Sequence, residues 1–289
     1  MATPRQWIEG ARPRTLPAAI APVLAGSGAA AAADHFVWWK ALLCLVVALA
    51  LQVGVNYAND YSDGIRGTDA ERVGPLRLVG SGVAAPARVK TAALVSFGVA
   101  AIAGLALAAA SSWWLVLVGA AAIAAAWGYT GGPRPYGYSG LGELFVFLFF
   151  GLVAVCGTTF VQAGRVTGAS VVAAIGVGLL ACAVLVANNL RDIPTDASVG
   201  KRTLAVRLGD TRTRWFFAVL VAAAFGCAVA LALSGHPSAL LALAALPLTV
   251  VPLSAVLGGA KGRALIPVLQ GTGRLLLAYG LLVGLGLAL

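Results

Sequence analysis

Long apolar stretches alternate with polar ones along the whole chain, and the polar ones are unequal in length and charge. Nine apolar runs, each roughly long enough to cross the hydrocarbon core of a bilayer, fall at about 15–33, 38–58, 91–110, 112–128, 141–162, 168–190, 213–233, 238–257 and 265–287. The pattern predicts an all-α polytopic membrane protein built as a single transmembrane domain over residues 1–289. Several runs are rich in Ala and Gly instead of Leu. Small residues let helix backbones approach closely, so a pair such as Gly280-x-x-x-Gly284 predicts a face turned toward another helix.

Composition agrees. Sixty per cent of the residues are hydrophobic and 10% are charged, with mean hydropathy +0.93; a soluble domain carries about a quarter charged residues. The four cysteines (Cys44, Cys156, Cys182 and Cys227) lie singly inside apolar runs without metal-ligand spacing. They read as small packing residues. Span 1 has a basic start and a small-residue end like a signal peptide, but Pro17 and Pro22 interrupt its core. It is expected to remain as a span.

The net charge of +10 could suggest nucleic acid, yet the basic residues are dispersed among the spans and form no single patch, so no nucleic-acid partner is expected. They alternate by loop instead. Seventeen of the twenty Lys and Arg residues precede span 1 or follow spans 2, 4, 6 and 8. Lys40 and Arg165 fall on the other side, and Arg274 lies inside span 9. Cytoplasmic loops attract such an excess, which predicts a cytoplasmic N-terminus. The opposite side carries Trp38-Trp39 and Trp113-Trp114, where an interfacial aromatic belt belongs, and His35 and His236, read as solvated loop residues.

Acid is scarce, and it is concentrated. Of ten acidic residues, six (Asp60, Asp63, Asp69, Glu71, Asp192 and Asp196) follow spans 2 and 6 on the same predicted side. Carboxylates at a membrane are costly unless something positive holds them, so they mark a functional site. Asn56, Asp60 and Asp63 are spaced i, i+4, i+7 and would share one helix face; Asn189, Asp192 and Asp196 are spaced i, i+3, i+7. Pro194 removes a helical N–H, so a break near Ile193 is expected, with Asp192 and Asp196 on either side of a bend. Hard oxygen ligands suit Mg²⁺, which binds through one or two carboxylates together with substrate phosphates. Arg66, Arg77, Lys90, Arg191 and Lys201 are near enough in sequence to add positive charge to a diphosphate. The bland alternative, aspartates that cap helices or pair with arginines, suits one residue better than five. A cation-coupled transporter is a third reading, although its acids belong near midplane on broken helices.

Asn59-Asp60-Tyr-Ser-Asp63 resembles the Asn-Asp-x-x-Asp motif of the UbiA superfamily of intramembrane aromatic prenyltransferases, and Asp192-Ile-Pro-Thr-Asp196 resembles its Asp-x-x-x-Asp motif. Many members carry an acid four residues after Asp63, where this chain has Gly67; the next acid is Asp69, a spacing similar to the menaquinone branch. Further segments that resemble this branch are Ala11-Arg-Pro-Arg-Thr-Leu-Pro17, Gly74-Pro-Leu-Arg77-Leu-Val-Gly-Ser-Gly82, Tyr129-Thr-Gly-Gly-Pro-Arg134-Pro-Tyr-Gly-Tyr138, and Leu190 through Gly209. The Asp-Gly-x-x-Ala-Arg opening of CDP-alcohol phosphotransferases, the nearest rival class, is absent.

The resemblance implies nine transmembrane helices around a central cavity, capped by loops at about 59–90 and 191–212, in the cell membrane with the site facing the cytoplasm. It implies Mg²⁺ on Asp60, Asp63, Asp192 and Asp196, assisted by Asn56 and Asn59, with polyprenyl diphosphate and 1,4-dihydroxy-2-naphthoate as substrates and demethylmenaquinone as product. Arg12, Asp69, Arg134, Tyr138 and Asn189 join the expected substrate-binding set. Arg134 lies one position beyond the Lys of the family's Tyr-x-x-x-Lys element, counted from Tyr129. Tyr138 and Glu143 are candidates for contact with the acceptor, alongside roles as an interfacial aromatic and a cap on span 5. Other aromatic acceptors remain alternatives within the superfamily.

Overall fold

The apolar runs become helices, and residues at their ends account for most starts and stops. The computed structural model describes residues 2–67 and 76–289, among which there are helices and turns and no strand. The helices are α1 (Pro4–Ala11), α2 (Pro17–Ala31), α3 (Trp38–Arg66), α4 (Pro86–Ala109), α5 (Leu115–Gly128), α6 (Gly142–Ala163), α7 (Gly168–Ser198), α8 (Leu204–Leu208), α9 (Asp210–Leu233), α10 (Pro237–Leu257) and α11 (Gly262–Ala288). Proline opens α2, α4 and α10, where its missing N–H costs nothing. Thr167 and Ser170 cap α7 reciprocally, each side chain accepting from the other's backbone N–H. Gly67, with φ of 70°, ends α3 in the left-handed conformation that glycine adopts without penalty.

Among the described residues, seven helices are long and apolar enough to cross a membrane: α3, α4, α6, α7, α9, α10 and α11. The shorter apolar helices α2 and α5 occupy the runs predicted as spans 1 and 4. Apolar side chains face outward along α4 (Leu94, Val95, Ile102) and α9 (Val219, Val229, Leu233), as hydrocarbon solvent requires. This is a multi-pass membrane protein.

Two helices overrun their apolar stretches. α3 continues past residue 58 to Arg66, and α7 past residue 190 to Ser198. The expected break at Pro194 does not occur: α7 winds through it, so Asp192 and Asp196 are one turn apart on a continuous helix. The proline ring points to the exposed side, and the hydroxyls of Thr195 and Ser198 donate back to the carbonyls of Asp192 and Thr195 at 3.0 and 2.8 Å. Losing one ladder bond does not end a helix whose flanking turns are held this way.

α7 is the central post, packed by α2, α6, α9 and α11. Gly280 and Gly284 face α2 inside the chain: a Cβ on Gly280 would come within 2.7 Å of Ala21, and one on Gly284 within 2.5 Å of the Leu24 carbonyl. The close-approach reading of that motif therefore holds. α3, α4 and α5 form a second sector with α1. At the tryptophan-rich end, Lys40 joins the sectors by donating to the carbonyls of Val161 (2.6 Å) and Ala110 (3.2 Å). A cavity opens between the sectors toward the opposite end.

Candidate active site

The cavity, about 420 Å³, has two chemical ends. Its polar end takes Asn56, Asn59 and Asp63 from α3, Asn188, Asn189, Asp192 and Asp196 from α7, Tyr138 from the α5–α6 connection, and Arg12, Arg77 and Lys201 from segments laid over the top. Its walls continue as apolar side chains, among them Leu51, Val55, Phe145, Phe149, Val153, Leu107 and Cys44. Asp63 and Cys44 lie at opposite ends of the stretch of α3 that lines it, roughly 28 Å apart at the helical rise per residue.

Asp63 is the hub. Its Oδ1 accepts the Tyr138 hydroxyl proton at 2.6 Å and lies 3.5 Å from Lys201 Nζ; its Oδ2 lies 3.8 Å from Arg77 Nη2. Lys201 Nζ also sits 4.5 Å from the Tyr138 ring centroid, so one cation serves a carboxylate and a π face together. Lys201 follows α7 whereas Asp63 is on α3, so this pair joins the ends of the two aspartate-bearing helices. Asp192 takes its own neighbour in a fork: Arg191 Nε and Nη2 donate to its two oxygens at 2.6 and 2.7 Å, with Arg191 Nη2 also 2.9 Å from Asn188 Oδ1. Such bidentate pairs fix orientation as well as charge. Asn59 Oδ1 accepts from Thr130 Oγ1 at 2.7 Å, and Asn56 Nδ2 donates to the Ala11 carbonyl and Thr15 Oγ1, each at 2.9 Å.

α3 is helical through Asn56, Asp60 and Asp63, as their spacing predicts. At the polar end α3 lines the cavity with Gln52, Asn56, Asn59 and Asp63, and Asp60 is not among the lining residues. Asp60 turns instead to the segment after residue 76, accepting from the backbone N–H groups of Leu78 (2.7 Å) and Val79 (3.0 Å). Asn189, Asp192 and Asp196 do share the cavity face of α7. Arg66 is exposed and ties the cap through the carbonyls of Thr130 and Gly132, its guanidinium carbon 5.5 Å from the Tyr138 ring centroid. Arg191 serves Asp192 without joining the lining, Lys90 is exposed beside Tyr61, and Arg134 is exposed. Asp69 lies outside the described residues.

Several site residues were not singled out in the sequence. Gln52, Thr15, Asn188, Thr130 and Thr203 all line the polar part. Gln52 was the most findable, because a lone amide inside an apolar run stands one turn before Asn56 on the same stripe. Its Oε1, together with Nε and Nη2 of Arg12, is buried without a hydrogen-bond partner among the described residues. Arg12 is also held in the left-handed region, with φ of 54°, a conformation that a non-glycine side chain adopts only under constraint. Glu143, buried below the polar end, accepts from Asn189 Nδ2 at 3.0 Å, and its Oε2 has no hydrogen-bond partner among the described residues. Burial first, then the nearby Glu143 charge, pushes the Tyr129 hydroxyl well above its ordinary range, so it stays neutral.

The fold and site define a class: a helical membrane protein with acid, amide and cationic groups at one end of an apolar cavity. The UbiA prenyltransferase family model matches residues 19–264, and the chain belongs to that family. It is 57% identical, over 100% of its own length and 98% of the relative's, to a 1,4-dihydroxy-2-naphthoate octaprenyltransferase of Mycobacterium tuberculosis. A protein of the same description from Mycobacterium leprae is 54% identical over 100% of this chain and 98% of its own. Among solved structures, a UbiA homolog from Archaeoglobus fulgidus bound to GPP and Mg²⁺ superposes with a TM-score of 0.70 at 17% identity, covering 96% of this chain and 99% of that one. The chain is therefore a prenyltransferase by family.

Proposed function

We propose that the protein transfers a polyprenyl group from polyprenyl diphosphate to 1,4-dihydroxy-2-naphthoate in a Mg²⁺-dependent reaction, with loss of the ring carboxylate as CO₂, giving demethylmenaquinol, the hydroquinone form of demethylmenaquinone. The two-ended cavity carries the reading: its charged end suits a diphosphate, and its apolar length suits the attached chain. The relatives' names supply the acceptor, and the GPP and Mg²⁺ of the A. fulgidus homolog support the donor class and the ion. The same proposal has one domain over residues 1–289 crossing the cell membrane nine times, α2 and α5 included. Its N-terminus and active site face the cytoplasm, as the bias of Lys and Arg suggests.

The residues fit the ion. Asp63, Asp192 and Asp196, with the amides of Asn59, Asn188 and Asn189, give a set of hard oxygens at one end of one cavity. Among the described residues no three acidic, His or Cys side chains form a complete metal cage. Mg²⁺ typically takes only one or two carboxylates and completes its shell with water and substrate phosphates. When bound there, it would neutralise the diphosphate and make it a better leaving group.

The chain's own groups account for the rest. Lys201 and Arg77 offer cationic N–H donors to the diphosphate oxygens. The C1–O bond of the donor breaks with its electron pair leaving on diphosphate, and Phe145 and Phe149 line the cavity beyond the polar end, where the allylic chain lies. The electron-rich ring of the acceptor supplies the pair for the new C–C bond, and CO₂ departs. Arg12, whose Nε and Nη2 have no partner among the described residues, receives an anionic group of the acceptor. The apolar walls keep water from capturing the cation.

Purified protein given a polyprenyl diphosphate, Mg²⁺ and dihydroxynaphthoate should yield demethylmenaquinol (recovered as demethylmenaquinone after oxidation by air), CO₂ and diphosphate. Turnover with a different phenol and none with dihydroxynaphthoate would overturn the acceptor. Ion flux in vesicles without Mg²⁺-dependent diphosphate release would favour the transporter.

A further inference from the structure

We propose that Asp60 is a positioning residue rather than a metal ligand: its carboxylate clamps the backbone after residue 76, and the clamp presents Arg77 to the diphosphate end of the cavity. The inference rests on the diphosphate reading above for what Arg77 does, and on the geometry of this chain for the clamp itself.

The physical problem starts with Asp60. It is fully buried on α3, where a charge taken out of water is costly unless it is hydrogen-bonded. A carboxylate there needs N–H donors, and two consecutive ones arrive, from Leu78 to Oδ2 and from Val79 to Oδ1. The segment that supplies them is a compact turn closed by its own bonds: Ser81 N to the Arg77 carbonyl (3.0 Å), Gly82 N to Val79 (2.9 Å) and Ala84 N to Leu78 (3.0 Å). Leu78 is buried in a cluster with Tyr57 and Val89, and a Cβ on Gly10 would lie 2.7 Å from its Cδ1. A Cβ on Gly64 would likewise collide with Val79. Both glycines therefore make room for the docked turn.

Arg77 is the next residue before the clamped pair, is buried, lines the cavity and reaches Asp63. The first aspartate cluster thus divides its labour: Asp63 faces the substrate space, and Asp60 holds the peptide that brings in Arg77.

The test uses the full-length protein in detergent, with amide hydrogen exchange and binding of inorganic diphosphate across a Mg²⁺ titration. In metal-free wild type, the amides of Leu78 and Val79 should exchange slowly. Asp60→Asn should speed their exchange and weaken diphosphate binding on the order of 10-fold to 100-fold, the scale of a lost charged hydrogen bond, while half-saturating Mg²⁺ stays unchanged. Gly64→Ala, which displaces Val79 and leaves Asp60 intact, should give the same fingerprint. In an Arg77→Gln background, Asp60→Asn should add little to the binding loss, because the two act as one unit. The proposal is overturned if Leu78 and Val79 are unprotected without metal, if Asp60→Asn raises half-saturating Mg²⁺ as Asp63→Asn does, or if the two losses add in full. Exchange in the metal-free protein needs no ligand, so it decides the clamp separately. Wild-type protein that binds no diphosphate would instead overturn the functional reading and with it the role of Arg77.

Discussion

The ends of α3 and α7 carry acids at nearly the same helical spacing, yet they solve the cost of buried charge in different ways. On α3 the partners come from far along the chain: loop amides for Asp60, and Tyr138, Arg77 and Lys201 for Asp63. On α7 Asp192 is held by a local partner, its own neighbour Arg191. A carboxylate held by distant groups reports on tertiary assembly, and disturbing it disturbs the cap. One held by the adjacent residue is neutralised wherever the helix goes. The first arrangement makes α3 the anchor of the cap, and the second makes α7 a rigid presenter of Asp192 and Asp196.

The largest expected effect breaks both sides at once and then tells them apart. Asp63→Ala and Asp192→Ala should each lower turnover by at least about 10²–10³-fold, the scale of removing a group that stabilises charge in the reacting complex. Their stabilities should diverge. Asp192→Ala strands the Arg191 guanidinium, whose side chain is 2% exposed, at a cost of roughly 3–5 kcal/mol, discounted by the bond to Asn188. Asp63→Ala removes the longer contacts to Lys201 (3.5 Å) and Arg77 (3.8 Å), whose side chains are 12% and 9% exposed, and should melt closer to wild type. Equal melting temperatures for the two variants would show that the local and distant arrangements are not different in kind.

A smaller effect probes what steadies α7. Glu143 accepts from the Asn189 amide nitrogen and so turns the other amide atom, the oxygen, toward the cavity. Glu143→Ala should release that orientation and lower turnover about 10-fold, in keeping with a truncated buried hydrogen bond. Glu143→Gln should recover much of it, since its amide oxygen can still accept. If the Gln variant is as poor as Ala, the carboxylate charge matters and the orientation argument fails.

The membrane helices were legible because hydropathy reports the solvent that a segment meets. Predicted and observed helices mostly differ at their ends by a few residues, for example 141–162 against Gly142–Ala163. The same signal stops where the lipid stops, so it missed the helical extensions to Arg66 and Ser198, whose polar faces are buried against protein instead. The site was legible by residue type and only partly by orientation. Scarce acids on one predicted side led to the cavity. That Asp60 and not Asn59 turns away from it depends on a turn beginning beyond residue 76, and spacing along α3 carries no information about that contact. Arg66, Lys90 and Arg134 were chosen by proximity in sequence, which says little about exposed side chains on the rim of a cap.

The smallest effect on turnover is expected at Pro194, and it sharpens the contrast most directly. If α7 is a rigid presenter, its continuity through Pro194 already fixes the one-turn offset of Asp192 and Asp196. Pro194→Ala then restores one ladder hydrogen bond and removes the ring's clash with the preceding turn, at an exposed position. The variant should melt at a higher temperature, because interior proline is disfavoured relative to alanine by up to about 3 kcal/mol. Its KM for the prenyl diphosphate should change by less than roughly threefold, well under one hydrogen bond's worth. A large loss of affinity with an intact or raised melting temperature would mean that the proline sets a bend on which the acids depend. α7 would then be tuned by its backbone, as α3 is tuned by its cap, and the contrast between the two helices would collapse.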